Sequence, residues 1–345
     1  MSRVVCISHR EDVDGLSSAA LIKAAFKAKS VILVDYSNLI YNLQKLIESL
    51  SLPSSPDLGV FDKVFICDLG LNKKNEKIFI DLLGKLIAKG CKVTYIDHHD
   101  LNKEVAVALK RLGVVLVHSL EECTSILVYT KYKRKFKSQA AFFAAAGALT
   151  DYMENRPVAS TIVSRFDRQF LMLQSTVLSY MISANQHNDA FLIQIVDTLS
   201  QMKYPHEIEG GFSIAEKYAK KVSEAVKSIE QSIIRLENLA YARSTGELSA
   251  SVIVNFVLGA SEKPVAMVYK LKEDINSFVI SIRGSKDCKV NLGKLVNHIS
   301  TEVGGSGGGH EKASGAVVPK GKLHEFIRLL DAHISNLQGA KRSSL

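Results

Sequence analysis

Short apolar runs recur along the first third of the chain, separated by polar stretches of helical periodicity. Val4-Val5-Cys6-Ile7, Val31-Ile32-Leu33-Val34, Val64-Phe65-Ile66-Cys67 and Val93-Thr94-Tyr95-Ile96 have the length and β-branched content of buried strands. Between them, Leu16 to Ala28, Leu39 to Leu50 and Asn75 to Lys89 repeat apolar positions every three or four residues, as amphipathic helices do. A further strand is expected at Val114 to Val117, then helices at Thr124 to Tyr132 and Ser138 to Met153. Alternation of this kind predicts an α/β fold, here an N-terminal doubly wound domain on a parallel sheet.

From about Asp151 to Glu237 the pattern turns mostly helical, and Ile214 to Leu236 reads as one long amphipathic helix suited to a connector. Strands return at Ala250 to Phe256, Val265 to Leu271 and Phe278 to Ile282. A helix at Leu292 to Thr301, a glycine-rich loop and a last helix at Leu323 to Leu337 complete a smaller C-terminal α/β domain. The expected division is a first domain over 1–190, a helical connector over 191–240, a second domain over 241–337 and a disordered tail over 338–345.

Composition narrows the classes. Of 345 residues, 47% are hydrophobic and 23% charged, which fits an ordinary globular protein. No apolar stretch is long enough to cross a bilayer, and Met1-Ser2-Arg3 leads directly into a strand-like run, so a cytoplasmic protein without a membrane partner is expected. Five scattered cysteines without a C-x-x-C pair read as buried free thiols. A net charge of +9 favours a polyanionic partner or substrate.

The chemistry gathers where the predicted elements end. The first strand runs into "SHREDVDG", with His9, Asp12 and Asp14; the third into "ICDLG", with Asp68. The fourth runs into "IDHHD", with Asp97, His98, His99 and Asp100, and the small-residue helix after Ala141 ends in "TDY", with Asp151. In an open parallel sheet, ligands bind beyond the carboxyl ends of the strands, so these side chains converge on one edge. Any one of them also reads as a helix cap or a solvated loop charge; Asp12 or Asp14 would cap a helix opening near Gly15. Recurrence at four element ends favours a site. Several carboxylates brought together out of water cost many kcal/mol unless cations compensate them. Oxygen and imidazole donors without thiolate suit Mn²⁺, with Mg²⁺ or Co²⁺ as substitutes.

"SHREDVDGLSSAAL", "FICDLG", "YIDHHD" and "ALTDY" together resemble the four motifs of the DHH phosphoesterase superfamily. "GGSGGGHEKASGAVVP" resembles the signature of its DHH-associated C-terminal domain, a pairing found in the RecJ-like and oligoribonuclease-like branches. The resemblance implies two divalent cations, one held by His9, Asp12 and Asp68 and the other by Asp14, Asp68, His98 and Asp151. It implies that Asp97 orients His98, that His99 faces the substrate phosphate, and that Asp68, His98 and His99 are the catalytic set. Arg283, Ser285, Gly308, Gly309 and His310 would contact substrate. The implied activity is hydrolysis of single-stranded DNA, RNA or short oligonucleotides to nucleoside monophosphates. The alternatives are the same chemistry on a cyclic dinucleotide or another nucleotide signal, and a non-catalytic replication-associated scaffold. A homo-oligomer is compatible with all of these.

One motif stands outside this set. "KYKRKFK", Lys131 to Lys137, interleaves five basic residues with Tyr132 and Phe136. It reads either as a nucleic-acid contact with stacking support or as a solvated helix end.

Overall fold

The apolar runs of the first third become the strands β1 (Val4–His9), β2 (Ser30–Val34), β3 (Lys63–Cys67), β4 (Lys92–Asp97) and β5 (Val115–His118). All pair in parallel, in the order β2-β1-β3-β4-β5. The molecule is described by a computed structural model covering residues 3–50, 61–244, 246, 248–309 and 311–339, with side chains as far as residue 335. The expected tail therefore lies almost wholly outside the described residues. Helices α1 (Val13–Phe26), α2 (Leu39–Ser49), α3 (Glu76–Ala88), α4 (Lys103–Arg111), α5 (Thr124–Tyr132) and α6 (Ala140–Thr150) connect or cover the strands.

Strand alternation sends Val4, Cys6, Phe65, Cys67 and Ile96 to one face, where α1, α5 and α6 complete a core. Val5, Ile7, Val64, Ile66, Val93 and Tyr95 point the other way, to α2, α3 and α4. Both faces are covered, which is the doubly wound arrangement the sequence predicts. Helix α1 is buried continuously from Val13 to Ile22, so it is covered all round rather than along one stripe. Helices α7 (Pro157–Val163), α8 (Arg168–Ala184) and α9 (Asp189–Ser200) extend the first of these cores. Among the described residues, no helix is long and apolar enough to cross a membrane. The five cysteines are free and buried, as their scatter predicts.

The chain divides into two units, Met1–Tyr218 and Ala219–Leu345. This single break falls inside the expected connector, within the helix α10 (Gly211–Glu230). That helix ends earlier than its periodicity suggests, because the next residues form a short strand β6 (Ile234–Arg235), in which Ile234 pairs with Tyr241. The second unit holds a six-stranded sheet of β6, β7 (Leu239–Arg243), β8 (Val265–Lys272), β9 (Ser277–Gly284), β10 (Ser306–Gly309) and β11 (Ala313–Pro319), in the order β10-β11-β9-β8-β7-β6. Helices α12 (Leu292–Glu302) and α13 (Leu323–Gly339) cover one face.

Two expectations fail here. Ala250 to Phe256 is not a strand but the start of α11 (Ala250–Ser261). A run of β-branched residues cannot distinguish a strand from a buried helix by periodicity. Topology decides: β7 and β8 pair in parallel, and parallel neighbours need a crossover, which α11 supplies. The glycine run, expected as a loop, is the edge strand β10, paired antiparallel to β11.

Candidate metal centre

The order of the first sheet reverses between β1 and β3, and the carboxyl ends of these strands and of β4 carry the acidic and imidazole side chains. His9 closes β1. Its Nε2 lies 3.3 Å from an Asp12 carboxylate oxygen, and its Nδ1 is buried without a hydrogen-bond partner. The turn into α1 is tight: a Cβ on Gly15 would sit 2.4 Å from the His9 carbonyl oxygen. Asp12 is the N-cap of α1 and accepts from the Gly15 amide at 2.8 Å. The capping role and the approach to His9 thus coexist in one carboxylate.

Asp14 lies in the first turn of α1, fully buried. Its two oxygens accept the Thr124 and Ser125 backbone amides at 2.7 and 2.9 Å. These are the first N–H groups of α5, which have no partner within their own helix and carry its positive dipole end. Thr124 Oγ1 donates to Asp68 Oδ1 at 3.0 Å, so one helix start supports two carboxylates. Asp68 follows β3 in the left-handed backbone region, with φ of 58°, and its side chain is 1% exposed.

His98 Nε2 lies 3.3 Å from Asp68 and 3.6 Å from Asp151, the residue that ends α6. Burial disfavours the charged imidazole, but the hydrogen bond to Asp68 and the charges of Asp14, Asp68 and Asp97 outweigh it and raise the His98 pKa to about 9. Burial pushes the Asp151 carboxyl well above the usual range, and Asp14, Asp12 and Asp68 push it further. The same burial keeps the Cys67 and Cys123 thiols protonated, which leaves oxygen and nitrogen as donors.

Two triads bring one ligand atom from each member within 4.8 Å of one another: Asp14, His98 and Asp151, and Asp68, His98 and His99. The first contains three of the four residues expected on one cation. His99, expected to face substrate, joins the second triad, whereas His9 and Asp12 form a pair of their own.

The expected role of Asp97 is corrected. Its carboxylate does not hold His98. It bonds His99 Nδ1 at 3.0 Å and accepts the His99 amide at 3.1 Å and the Tyr95 hydroxyl at 3.2 Å. Adjacent residues at a strand end point to opposite sides, so Asp97 reaches the side chain two positions on. Burial opposes the charged form of His99, but the bond to Asp97 and its charge raise the His99 pKa.

Several contributors went unread in the sequence. Tyr36, after β2, stacks on His9 at 4.4 Å between ring centres and places its hydroxyl 3.1 Å from His99 Nε2. Gly70 makes room for His99, since a Cβ there would lie 2.8 Å from the His99 ring. On α6, a Cβ on Gly147 would meet Ser125 Oγ at 2.3 Å and an Asp14 oxygen at 2.6 Å. A lone glycine inside an alanine-rich helix costs about 1 kcal/mol, and that was the available signal of a close approach.

In the second unit Arg283 lies on β9, partly buried, opposite Ala266 and Ala313 on the neighbouring strands. Two residues before it on the same face, Ser281 pairs with Gly315, which pairs with Gly308. Gly308 and Gly309 have φ of 154° and 137°, and a Cβ on Gly309 would lie 2.6 Å from the Ala313 carbonyl oxygen. Ser285 follows the strand, its amide donating to the Pro264 carbonyl at 2.9 Å. His310 lies outside the described residues.

Comparison with known proteins agrees with this layout. Residues 3–150 match the model of the DHH family N-terminal domain, and residues 238–336 that of the DHHA1 domain. An uncharacterized protein of Methanocaldococcus jannaschii is 30% identical over 177 residues, 50% of this chain but only 38% of that relative's length. RecJ from Thermus thermophilus, solved with Mn²⁺, superposes with a TM-score of 0.63 at 14% identity, over 97% of this chain and 52% of RecJ. PggH from Vibrio cholerae, a pGpG-specific phosphodiesterase, superposes at 0.58 and 14% identity, over 97% of this chain and 99% of PggH. At such identities these two likenesses are likenesses of fold.

Proposed function

The chain belongs to the DHH phosphoesterase superfamily, and on that premise we propose that it is a metal-dependent phosphodiesterase that hydrolyses single-stranded nucleic acid or short oligonucleotides to nucleoside monophosphates. The carrying observation is the convergence of Asp14, Asp68, His98, His99 and Asp151 from four separate element ends on one sheet edge. The donor set fits a divalent cation. Its carboxylates crowd one another, its imidazoles stand beside them, and the His9 Nδ1 atom lacks any other partner.

Asp14, Asp68, His98 and Asp151 would hold one ion, and His9, Asp12 and Asp68 a second. Bound divalent cations supply Lewis acidity toward water and neutralise charge on phosphoryl oxygens. The chain's own residues do the positioning. Asp97 accepts the Nδ1 proton of His99 and fixes the tautomer that leaves Nε2 turned toward the Tyr36 hydroxyl, where a proton can be held or passed to a leaving oxygen. The α5 amides hold the Asp14 carboxylate in place before any ligand arrives. Arg283 supplies a guanidinium for phosphate, and the bare backbone of Gly308 and Gly309 lets a substrate approach closely. Ser285 and His310 are assigned to substrate contact with them.

A second reading keeps this chemistry but takes a dinucleotide signal as substrate. The near-complete mutual coverage with the pGpG-specific phosphodiesterase favours it, because RecJ is about twice as long as the region it shares with this chain. Purified protein incubated with Mn²⁺ and end-labelled oligonucleotides of graded length, alongside pGpG and cyclic dinucleotides, separates the two. A product ladder from linear oligonucleotides supports the first reading; turnover confined to a dinucleotide supports the second. Full activity after verified metal removal would sink both.

A further inference from the structure

The opposite edge of the first sheet, where the strands begin, carries a feature that the metal centre does not use. Five of the chain's 44 lysines and arginines lie between Lys131 and Lys137, and no carboxylate occurs in the sequence between Glu122 and Asp151. Lys131, Lys133, Arg134, Lys135 and Lys137 are all exposed, at the end of α5 and in the turn after it.

Ring contacts tie them to further cations. Lys135 Nζ lies 4.9 Å from the centre of the Phe26 ring, and Lys63 Nζ, at the start of β3, lies 5.7 Å from the same ring. Lys27 follows Phe26 directly, and Lys29 donates its amide to Val4 at the start of β1. Arg3 and Lys92 begin the neighbouring strand ends, since Lys63 pairs with both Val4 and Lys92. Strands stand about 4.8 Å apart, so these side chains form a basic face on the order of 15 Å wide. Among the described residues, Lys27, Lys29, Lys63, Lys131, Lys133, Arg134, Lys135 and Lys137 take part in no ion pair.

Asp62 lies at the same strand starts, but its carboxylate accepts the Arg3 amide at 2.9 Å and pairs with none of these cations; like charges gathered with so little compensation repel one another and destabilise the compact state. Lysines at helix C-termini satisfy the helix dipole, but one or two per helix suffice for that. We propose that this face binds the phosphate backbone of a nucleic-acid strand, at a site separate from the metal centre. The face is too wide for one phosphate. Stacking plays no part: Tyr132 and Phe136 are turned into the first core, and Tyr132 packs edge-on against Phe26 at 4.8 Å. The same inward turn leaves no apolar anchor for a lipid surface, so a polymer of phosphates is the fitting partner. Strand β1 has six residues, which sets this face about 20 Å from the catalytic edge. A dinucleotide in the metal centre would not feel it, whereas a longer strand can be held here between cleavages.

The inference extends the hydrolytic reading, but its test is independent of turnover. Fluorescence anisotropy of the full chain with a labelled oligo(dT) of about 20 nucleotides, in excess chelator, gives affinity as a function of salt. Each phosphate contact contributes about 0.7 to the slope of log K against log salt, so K133Q/R134Q/K135Q should flatten it by about 2. The affinity at about 0.1 M salt should fall about a hundredfold. K27Q/K63Q, from the other side of the Phe26 ring, should flatten the slope by about 1.4. R165Q/R168Q/K203Q removes the same charge from exposed positions elsewhere in this unit and should leave the slope in place. Slopes unchanged in both patch variants overturn the inference, as does equal flattening by the control. Vesicles containing phosphatidylserine that bind through these cations, with oligo(dT) affinity unaffected by the substitutions, overturn it in favour of a lipid surface. A chain that hydrolyses nothing but loses its salt slope in the patch variants upholds the face and removes only the hydrolytic reading.

Discussion

Loading the metal centre should become easier as the solution becomes more alkaline, and the proton on His98 sets the scale. In the cation-free protein its pKa is about 9, because Asp68, Asp14 and Asp97 outweigh the burial that disfavours the charged ring. Only the neutral imidazole can ligate. At about pH 7 that form is roughly one part in a hundred, so an incoming cation must displace a proton against about 2.7 kcal/mol. Asp151, whose carboxyl is also raised, acts in the same direction. Apparent affinity for Mn²⁺ or Mg²⁺ should therefore rise about tenfold or more per pH unit from about 6.5 to 8.5, and flatten near 9. Calorimetry in two buffers of different ionisation enthalpy counts the protons released, with at least about one expected per ion held by His98. Stability of the cation-free protein should move the opposite way. A raised histidine pKa contributes fully below the unfolded value of about 6.5 and is lost as the pH climbs through about 9, so the urea midpoint should fall across that window. Affinity that is flat over this range, with no proton release, would refute His98 as a ligand.

Three further outcomes follow from the geometry. Gly147→Ala places a methyl where Ser125 and Asp14 already stand, and should lower stability by about 1–3 kcal/mol in urea titrations while weakening cation binding measured by calorimetry. Asp97→Asn removes the carboxylate hydrogen-bonded to His99 and leaves every proposed cation ligand in place; kcat should fall about tenfold to hundredfold, with bound metal at saturating cation unchanged by elemental analysis. Arg283→Ala should lower kcat/KM by a similar factor through the loss of about 1.5–3 kcal/mol of phosphate contact, again with metal content unchanged.

The first sheet and its edge were legible because two independent patterns coincided. Alternating strand and helix periods gave the layers, and polar residues interrupting apolar runs at Asp68 and Asp97 marked where each strand stopped. What stayed hidden depends on contacts between distant segments. Thr124 and Ser125 hold Asp14 through backbone amides, which any residue carries. Tyr36 lies sixty-three residues from His99, and nothing in its surroundings announces the contact. The resemblance implies Asp97 on His98, whereas the strand's alternation followed to its end puts Asp97 on His99. In the second unit, α11 was misread from its β-branched residues, although a parallel β7–β8 pair leaves no other connection.

Asp68 has a consequence for how this fold tolerates change. It is held in the left-handed region, a conformation that costs a residue with a side chain about 1 kcal/mol or more, and its carboxylate is buried beside other acids. Glycine here would relax the backbone and remove a repelling charge, at the loss of the Thr124 and His98 contacts, so the backbone itself does not call for the aspartate that the proposed chemistry uses. Stability and activity pull in opposite directions at this position. A lineage released from selection on catalysis would lose the aspartate first and keep the two sheets intact.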